Sequence, residues 1–162
     1  MRDIVLDGES LKIRDVVETG LGKTIVSLSN KAREKMENSR LGINRILQSG
    51  ETTYGVNTGF GALSSVPIDS DKLEALQVNL IRSHACGIGE EMENKHTLMM
   101  MLIRANTLCR GNSGARPLIV DTLISMINHK ICPAIPRIGS LGASGDLAPL
   151  SHLAMGMMGQ SN

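Results

Sequence analysis

Apolar positions along this chain follow two rhythms, and the change between them divides it. Residues 3–8 (DIVLDG) and 24–29 (TIVSLS) are short, β-branched stretches, the second alternating apolar and polar, and both predict strands. Between them, residues 10–20 (SLKIRDVVETG) open on Ser10 as a possible cap and stop at Gly20, which predicts a short helix. From Asn30 the period becomes helical: Ala32, Met36, Ile43 and Leu47 share one face, Arg, Lys and Glu take the other, and Gly50 ends the element. Residues 51–67 (ETTYGVNTGFGALSSVP) show no helical period and read as a structured loop.

Helical spacing resumes over residues 69–87, with Ser70 or Asp71 as cap and Leu73, Leu76 and Leu80 on one side. Gly87 and Gly89 punctuate it. Residues 91–111 form another helix, acidic at its first turn and basic at its last, as the helix dipole favours. Residues 115–130 (ARPLIVDTLISMINHK) are apolar on most sides and predict a buried helix. Residues 131–146 (ICPAIPRIGSLGASGD) read as a loop with two prolines, and a last helix starts near Asp146, with Pro149 in its first turn. The expectation is a mainly α fold: a small mixed α/β region over about residues 1–70, then packed helices over about 71–162. No internal repeat or low-complexity tract appears. The ending at Asn162, soon after the last helix begins, reads as a truncated product.

Composition narrows the function classes. The chain has 162 residues, 41% of them hydrophobic, and a formal net charge of +1, so it carries no electrostatic footprint for nucleic acid or an anionic membrane. Its longest apolar runs, such as residues 98–103 (LMMMLI), are too short to span a bilayer, and no charged-then-apolar leader opens it. Three unpaired cysteines, Cys86, Cys109 and Cys132, suit a reduced, cytoplasmic setting. His84, His129 and His152 lie scattered among them without tight Cys-x-x-Cys spacing, so no metal site is expected. With ten Met, one Tyr, one Phe and no Trp, the core must be aliphatic. Tyr54 and Phe60 then stand out because they share one glycine-rich loop. A lone Tyr there is ordinarily a packing anchor.

The candidate chemistry lies in residues 139–156 (GSLGASGDLAPLSHLAMG). A hydrolase elbow needs Gly-x-Ser-x-Gly after a strand, and Gly142-Ala143-Ser144-Gly145 fails on spacing and context. A phosphate cradle needs Lys beside Ser or Thr, and none is present. A tight loop before a helix is the plain reading. A second chemistry fits the same residues. If the Gly145 amide nitrogen attacked the Ala143 carbonyl carbon, a five-membered ring would close, and Gly at that position removes the obstructing Cβ. Loss of water from Ser144 would leave an exocyclic methylene, an electrophile that no side chain offers. Asp146 is placed to assist proton transfer and to cap the next helix, whose N-terminus would stabilise negative charge on the ring oxygen.

Residues 139–156 resemble the signature of the ammonia-lyases that carry methylidene-imidazolone (MIO), built from an internal Ala-Ser-Gly. TYGVNTGFG (53–61), NLIRSHACGIG (79–89) and RANTLCRGNSGAR (104–116) resemble the same family and occur in its order. The resemblance implies an MIO formed from Ala143, Ser144 and Gly145, with Asp146 in support, Tyr54 as a base near the substrate β-carbon, and His84 contacting substrate. Aromatic-specific members carry Phe-Leu or His-Leu where this chain has Ser83-His84, the pair of histidine-specific members. L-histidine as substrate, trans-urocanate and ammonia as products, a helical homotetramer with sites shared by three subunits, and no metal or diffusible cofactor are implied. So is a further C-terminal helical bundle, without which the 162-residue chain is expected to be inactive. Asn57, Arg104, Asn106 and Arg116 are read as network residues. A phenylalanine or tyrosine lyase, an aminomutase of the family, and a non-catalytic helical assembly module remain alternatives.

Overall fold

The computed structural model describes residues 1–61, 64–142 and 145–160, with the backbone alone at Ser70. Strand β1 (Arg2–Leu6) lies parallel to β2 (Thr24–Leu28), Ile4 opposite Val26 and Leu6 opposite Leu28. Parallel neighbours need a crossover, supplied by α1 (Ile13–Gly20). Alternation buries Ile4, Leu6 and Val26 and leaves Val5 and Ile25 in solvent. Ser10 does not cap α1. The Asp7 carboxylate accepts the N–H groups of Glu9 and Ser10, both at 2.8 Å, which holds Ser10 in a turn. The helix starts later, and Asp15 accepts the Lys12 N–H at 3.0 Å.

Helix α2 (Asn30–Ser49) is capped by Ser29, whose hydroxyl accepts the Ala32 N–H at 3.1 Å, and Gly50 ends it. The bidentate pair Arg33–Asp121, at 2.7 and 3.1 Å, fastens α2 to α5 (Pro117–His129). A short 3₁₀ turn, Ser70–Lys72, leads into α3 (Leu73–His84), so the expected caps Ser70 and Asp71 fall inside that turn. Helix α4 (Asn94–Leu108) crosses α1 and α5. Contrary to expectation its first and last turns carry no charged complement to the dipole, because Glu93 precedes the helix and Arg110 follows it.

Met101, Leu102 and Ala105 of α4, Val120 and Leu123 of α5, and Ile135 meet the inner face of the β1–β2 pair in one core. Residues on both sides of position 70 therefore share it. Asn128 on α5 closes the outer edge of β2: its side-chain amide accepts the Val26 N–H at 2.8 Å and donates to the Val26 carbonyl at 2.9 Å. Helix α5 is buried on one face only, with Leu118 in solvent, so it is less enclosed than its composition predicts.

Two elements were not predicted. Strand β3 (Ile88–Glu91), between the helices expected over 69–87 and 91–111 and overlapping the second at Glu91, pairs antiparallel with β4 (Pro136–Ile138), inside the stretch 131–146 expected to be loop. Proline is tolerated because Pro136 is the first strand residue. The last helix, α6 (Leu147–Met157), is complete: the Gly159 N–H reaches the Gly156 carbonyl at 3.1 Å and the Gln160 N–H reaches that of Met155 at 2.9 Å. That pair of hydrogen bonds is a Schellman stop, so the expectation of an unfinished helix is corrected.

Candidate active site

The loop bearing Tyr54 is folded by its own side chains. Asn57 accepts the Thr53 N–H at 2.8 Å and donates to the Glu51 carbonyl at 2.9 Å. The buried Thr58 pairs with Pro67 across the loop. Tyr54 rides on this frame at 64% exposure, its ring meeting Phe60 edge-on with centroids 5.9 Å apart. It is no core anchor. Among the described residues its hydroxyl has no hydrogen-bond partner.

His84 closes α3. The Ser83 hydroxyl donates to the Leu80 carbonyl at 2.9 Å, and His84 Nδ1 lies 2.8 Å from the same oxygen and 3.0 Å from Ser83 Oγ. A carbonyl only accepts, so this contact assigns a proton to Nδ1; in the neutral ring Nε2 is then the acceptor. Ser83 thereby helps to fix the tautomer of its neighbour.

Ala143 and Ser144 lie outside the described residues; Gly142 and Gly145, which flank them, lie within. Gly145 (φ +86°) and Asp146 (φ +56°) are consecutive left-handed residues, and the Gly145 N–H turns back to the Gly142 carbonyl at 3.3 Å. A non-glycine residue held left-handed stores strain that its surroundings must enforce. Asp146 occupies the N-cap position of α6 but does not cap with its side chain, which is a departure from expectation. Its carboxylate accepts the Ser140 hydroxyl instead. The first N–H groups of α6 are thus not used by that carboxylate.

The two segments meet. Helices α3 and α6 pack together, and the Gly87 N–H donates to His152 Nε2 at 3.0 Å. A Cβ on Gly139 would lie 3.1 Å from the Gly87 Cα. The end of the helix bearing His84 is therefore held against both ends of the segment 139–152. Gly145 and Asp146 also border a cleft of about 530 Å³, walled by Met99, Ile103, Arg104 and Arg137. Tyr54 and His84 are not among the described residues that line it, so the structure joins His84 to the loop through the backbone and leaves Tyr54 apart.

Of the expected network residues, Asn57 acts as read, and Asn106 accepts the Gly8 N–H at 3.0 Å. The guanidinium groups of Arg104 and Arg116 have no hydrogen-bond or ion-pair partner among the described residues. Sequence reasoning missed His152 as a site residue. It is 3% exposed, and burial pushes its imidazole below the ordinary histidine range. Among the described residues no three His, Cys, Asp or Glu side chains gather to hold a metal ion. No described helix is long and apolar enough to cross a membrane.

The family profile for aromatic amino acid lyases matches residues 11–162. The chain belongs to the aromatic amino acid lyase family. Among its relatives, the histidine ammonia-lyase of Staphylococcus saprophyticus is 49% identical over 97% of this chain and 32% of its own length. That of Staphylococcus aureus is 48% identical over 97% of this chain and 31% of its own. This chain therefore spans about a third of the length of the curated relatives it matches. Histidine ammonia-lyase from Trypanosoma cruzi superposes with a TM-score of 0.88 at 39% identity, over 98% of this chain and 30% of that one. Tyrosine aminomutase from Streptomyces globisporus superposes with a TM-score of 0.92 at 36% identity, over 98% and 30%. Fold alone does not separate the lyases from the aminomutase.

Proposed function

We propose that the full-length protein carrying this chain is an ammonia-lyase that converts L-histidine to trans-urocanate and ammonia. The observation that carries the reading is the 2.8 Å contact between His84 Nδ1 and the Leu80 carbonyl oxygen. With its Nδ1 proton committed to the Leu80 carbonyl, Nε2 offers an acceptor suited to the ring N–H of an imidazole substrate. The histidine ammonia-lyase relatives at 48–49% identity support the same substrate.

Family members depend in general on MIO, and the residues flanking positions 143–144 fit its formation. Among the described residues nothing lies within 4 Å of where a Gly145 Cβ would stand, and two left-handed residues turn the chain back on itself. Ala143, Ser144 and Gly145 would form the group, and it would supply an electrophilic methylene. The chain's own residues do the rest. Asp146, fastened by Ser140, holds the turn, and the α6 N-terminus favours negative charge beside it. His84 orients the substrate ring. Tyr54 takes a proton from the substrate β-carbon; the C–H electron pair forms the new double bond as the C–N pair leaves with ammonia. No metal enters this scheme.

The exposed Tyr54 loop, standing apart from the cleft, supports an assembly in which subunits complete one another's sites, and we read the state as a homotetramer. Apolar side chains in solvent, Ile13 at 85% and Leu141 at 68%, support buried contacts of that kind. Cysteines Cys86, Cys109 and Cys132 are all free, in keeping with a cytoplasmic setting.

The test is urocanate absorbance from the full-length protein given L-histidine, with L-tyrosine and L-phenylalanine in parallel. Urocanate alone is expected. An arylacrylate or a β-amino acid from the aromatic substrates, with no urocanate, would move the protein to the sister lyases or the aminomutases. An intact mass lacking the loss of two waters would leave a non-catalytic assembly module.

A further inference from the structure

We infer that His152 is a positioning residue that holds the His84 end of α3 in register with the helix growing from the ring-forming loop; this rests on the function proposed above. Helix α3 closes with the Ala85 N–H on the Ile81 carbonyl at 3.1 Å, and the Cys86 N–H then turns to the His84 carbonyl at 2.9 Å. The next N–H, that of Gly87, leaves the helix and donates to His152 Nε2 at 3.0 Å. The backbone three residues beyond His84 is thus tied to a side chain eight residues beyond Ser144 in sequence.

The tie demands one chemical state. A backbone N–H only donates, so Nε2 must be an unprotonated acceptor. His152 is 3% exposed, and burial favours its neutral form. The site admits no slack: a Cβ on Gly87 would lie 3.0 Å from His152 Nε2 and 3.0 Å from the Pro136 Cβ. Losing the acceptor would strand a partly buried N–H and free the segment 85–87 to shift. His84 touches its own helix through Leu80 and Ser83, so a shift of the helix end carries its imidazole along. Such a residue changes how well substrate is held more than whether the electrophile exists.

The test compares His152→Leu and His152→Gln in the full-length protein. Leu fills the site without an acceptor, whereas the Gln side-chain carbonyl restores one. In His152→Leu, KM for L-histidine is expected to rise roughly tenfold, kcat to change by less than about threefold, and the intact mass to keep the loss of two waters. In His152→Gln, KM is expected to return most of the way. Exchange of the Gly87 amide, read by mass spectrometry without substrate, is expected to quicken in His152→Leu and not in His152→Gln. Equal KM in wild type and His152→Leu, a deficit that Gln leaves unrelieved, or Gly87 exchange that ignores both substitutions would overturn the inference. If His152→Leu fails to fold, Gln with wild-type KM and exchange supports the tie, and Gln with defects in both refutes it. A wild-type protein inactive on histidine refutes the proposed function instead, and the exchange arm still reads the tie.

Discussion

Gly139 and Gly87 meet backbone against backbone: a Cβ on Gly139 would stand 3.1 Å from the Gly87 Cα and 3.2 Å from the Ala148 Cβ. Gly139 also holds φ +154°. Gly139→Ala is therefore expected to destabilise the protein by about 1–3 kcal/mol, through overpacking and an unfavourable backbone angle together. Chemical denaturation of the variant reads this directly. A variant as stable as the wild type would mean that the junction yields without cost.

Ser144→Ala in the full-length protein is expected to abolish turnover while leaving secondary structure and unfolding midpoint unchanged. A methyl group has no hydroxyl to eliminate, so no methylene can form. Intact mass is the second reading, and the variant should no longer lose both waters. Near-normal rates in it would end the assignment of the electrophile.

His84→Leu is expected to weaken histidine use roughly tenfold to a hundredfold in kcat/KM, the scale of one lost hydrogen bond to a polar ring. Stability should change little, since His84 lies at the end of α3 and, among the described residues, its ring bonds within its own helix, to Leu80 and Ser83. A kcat/KM unchanged from wild type would point the Ser-His pair away from substrate recognition.

Much of this site is legible along the chain, and the remainder is hidden for a physical reason. Helices α2, α3 and α5 follow from their apolar period, and the Gly50 stop from its position. Strands β3 and β4 escape because each is short and its pairing is set by a residue far away in sequence, Ile88 opposite Ile138. The Ser10 cap fails because a competing acceptor, Asp7, sits three residues upstream. His152 is invisible for a similar reason: a histidine on an apolar helix gives no local sign of which backbone N–H it will accept. Tyr54 is legible as unusual but not as exposed, since its position depends on the Asn57 bonds that shape its loop.

The three thiols are expected to separate by burial. Cys109 is fully buried, and burial raises its thiol to about 11, so at neutral pH it is neither ionised nor accessible. Cys86 is exposed. Iodoacetamide on the native protein should modify Cys86 first and leave Cys109 untouched until denaturant is added, as peptide mapping will show. Early labelling of Cys109 in native conditions would mean that α4 opens far more readily than its packing implies.

Stability should also report the state of His152. Burial lowers its pKa below the ordinary 6.5, whereas in the unfolded chain the imidazole regains the ordinary value. Above pH 6.5 both states are neutral there and folding loses nothing. Below it the unfolded state takes up a proton that the folded state resists, so the unfolded state binds more protons and stability falls as the pH drops. The loss continues until the folded pKa is passed, where the native imidazole also protonates and presents N–H to the Gly87 N–H. Denaturation free energies of wild type and His152→Gln, compared from about pH 5 to 8, isolate this contribution, since other groups titrate alike in both. The wild type is expected to lose more stability on acidification than the variant. Parallel curves would mean that the buried imidazole titrates as it does in water, and that its hydrogen bond to Gly87 does not depend on charge.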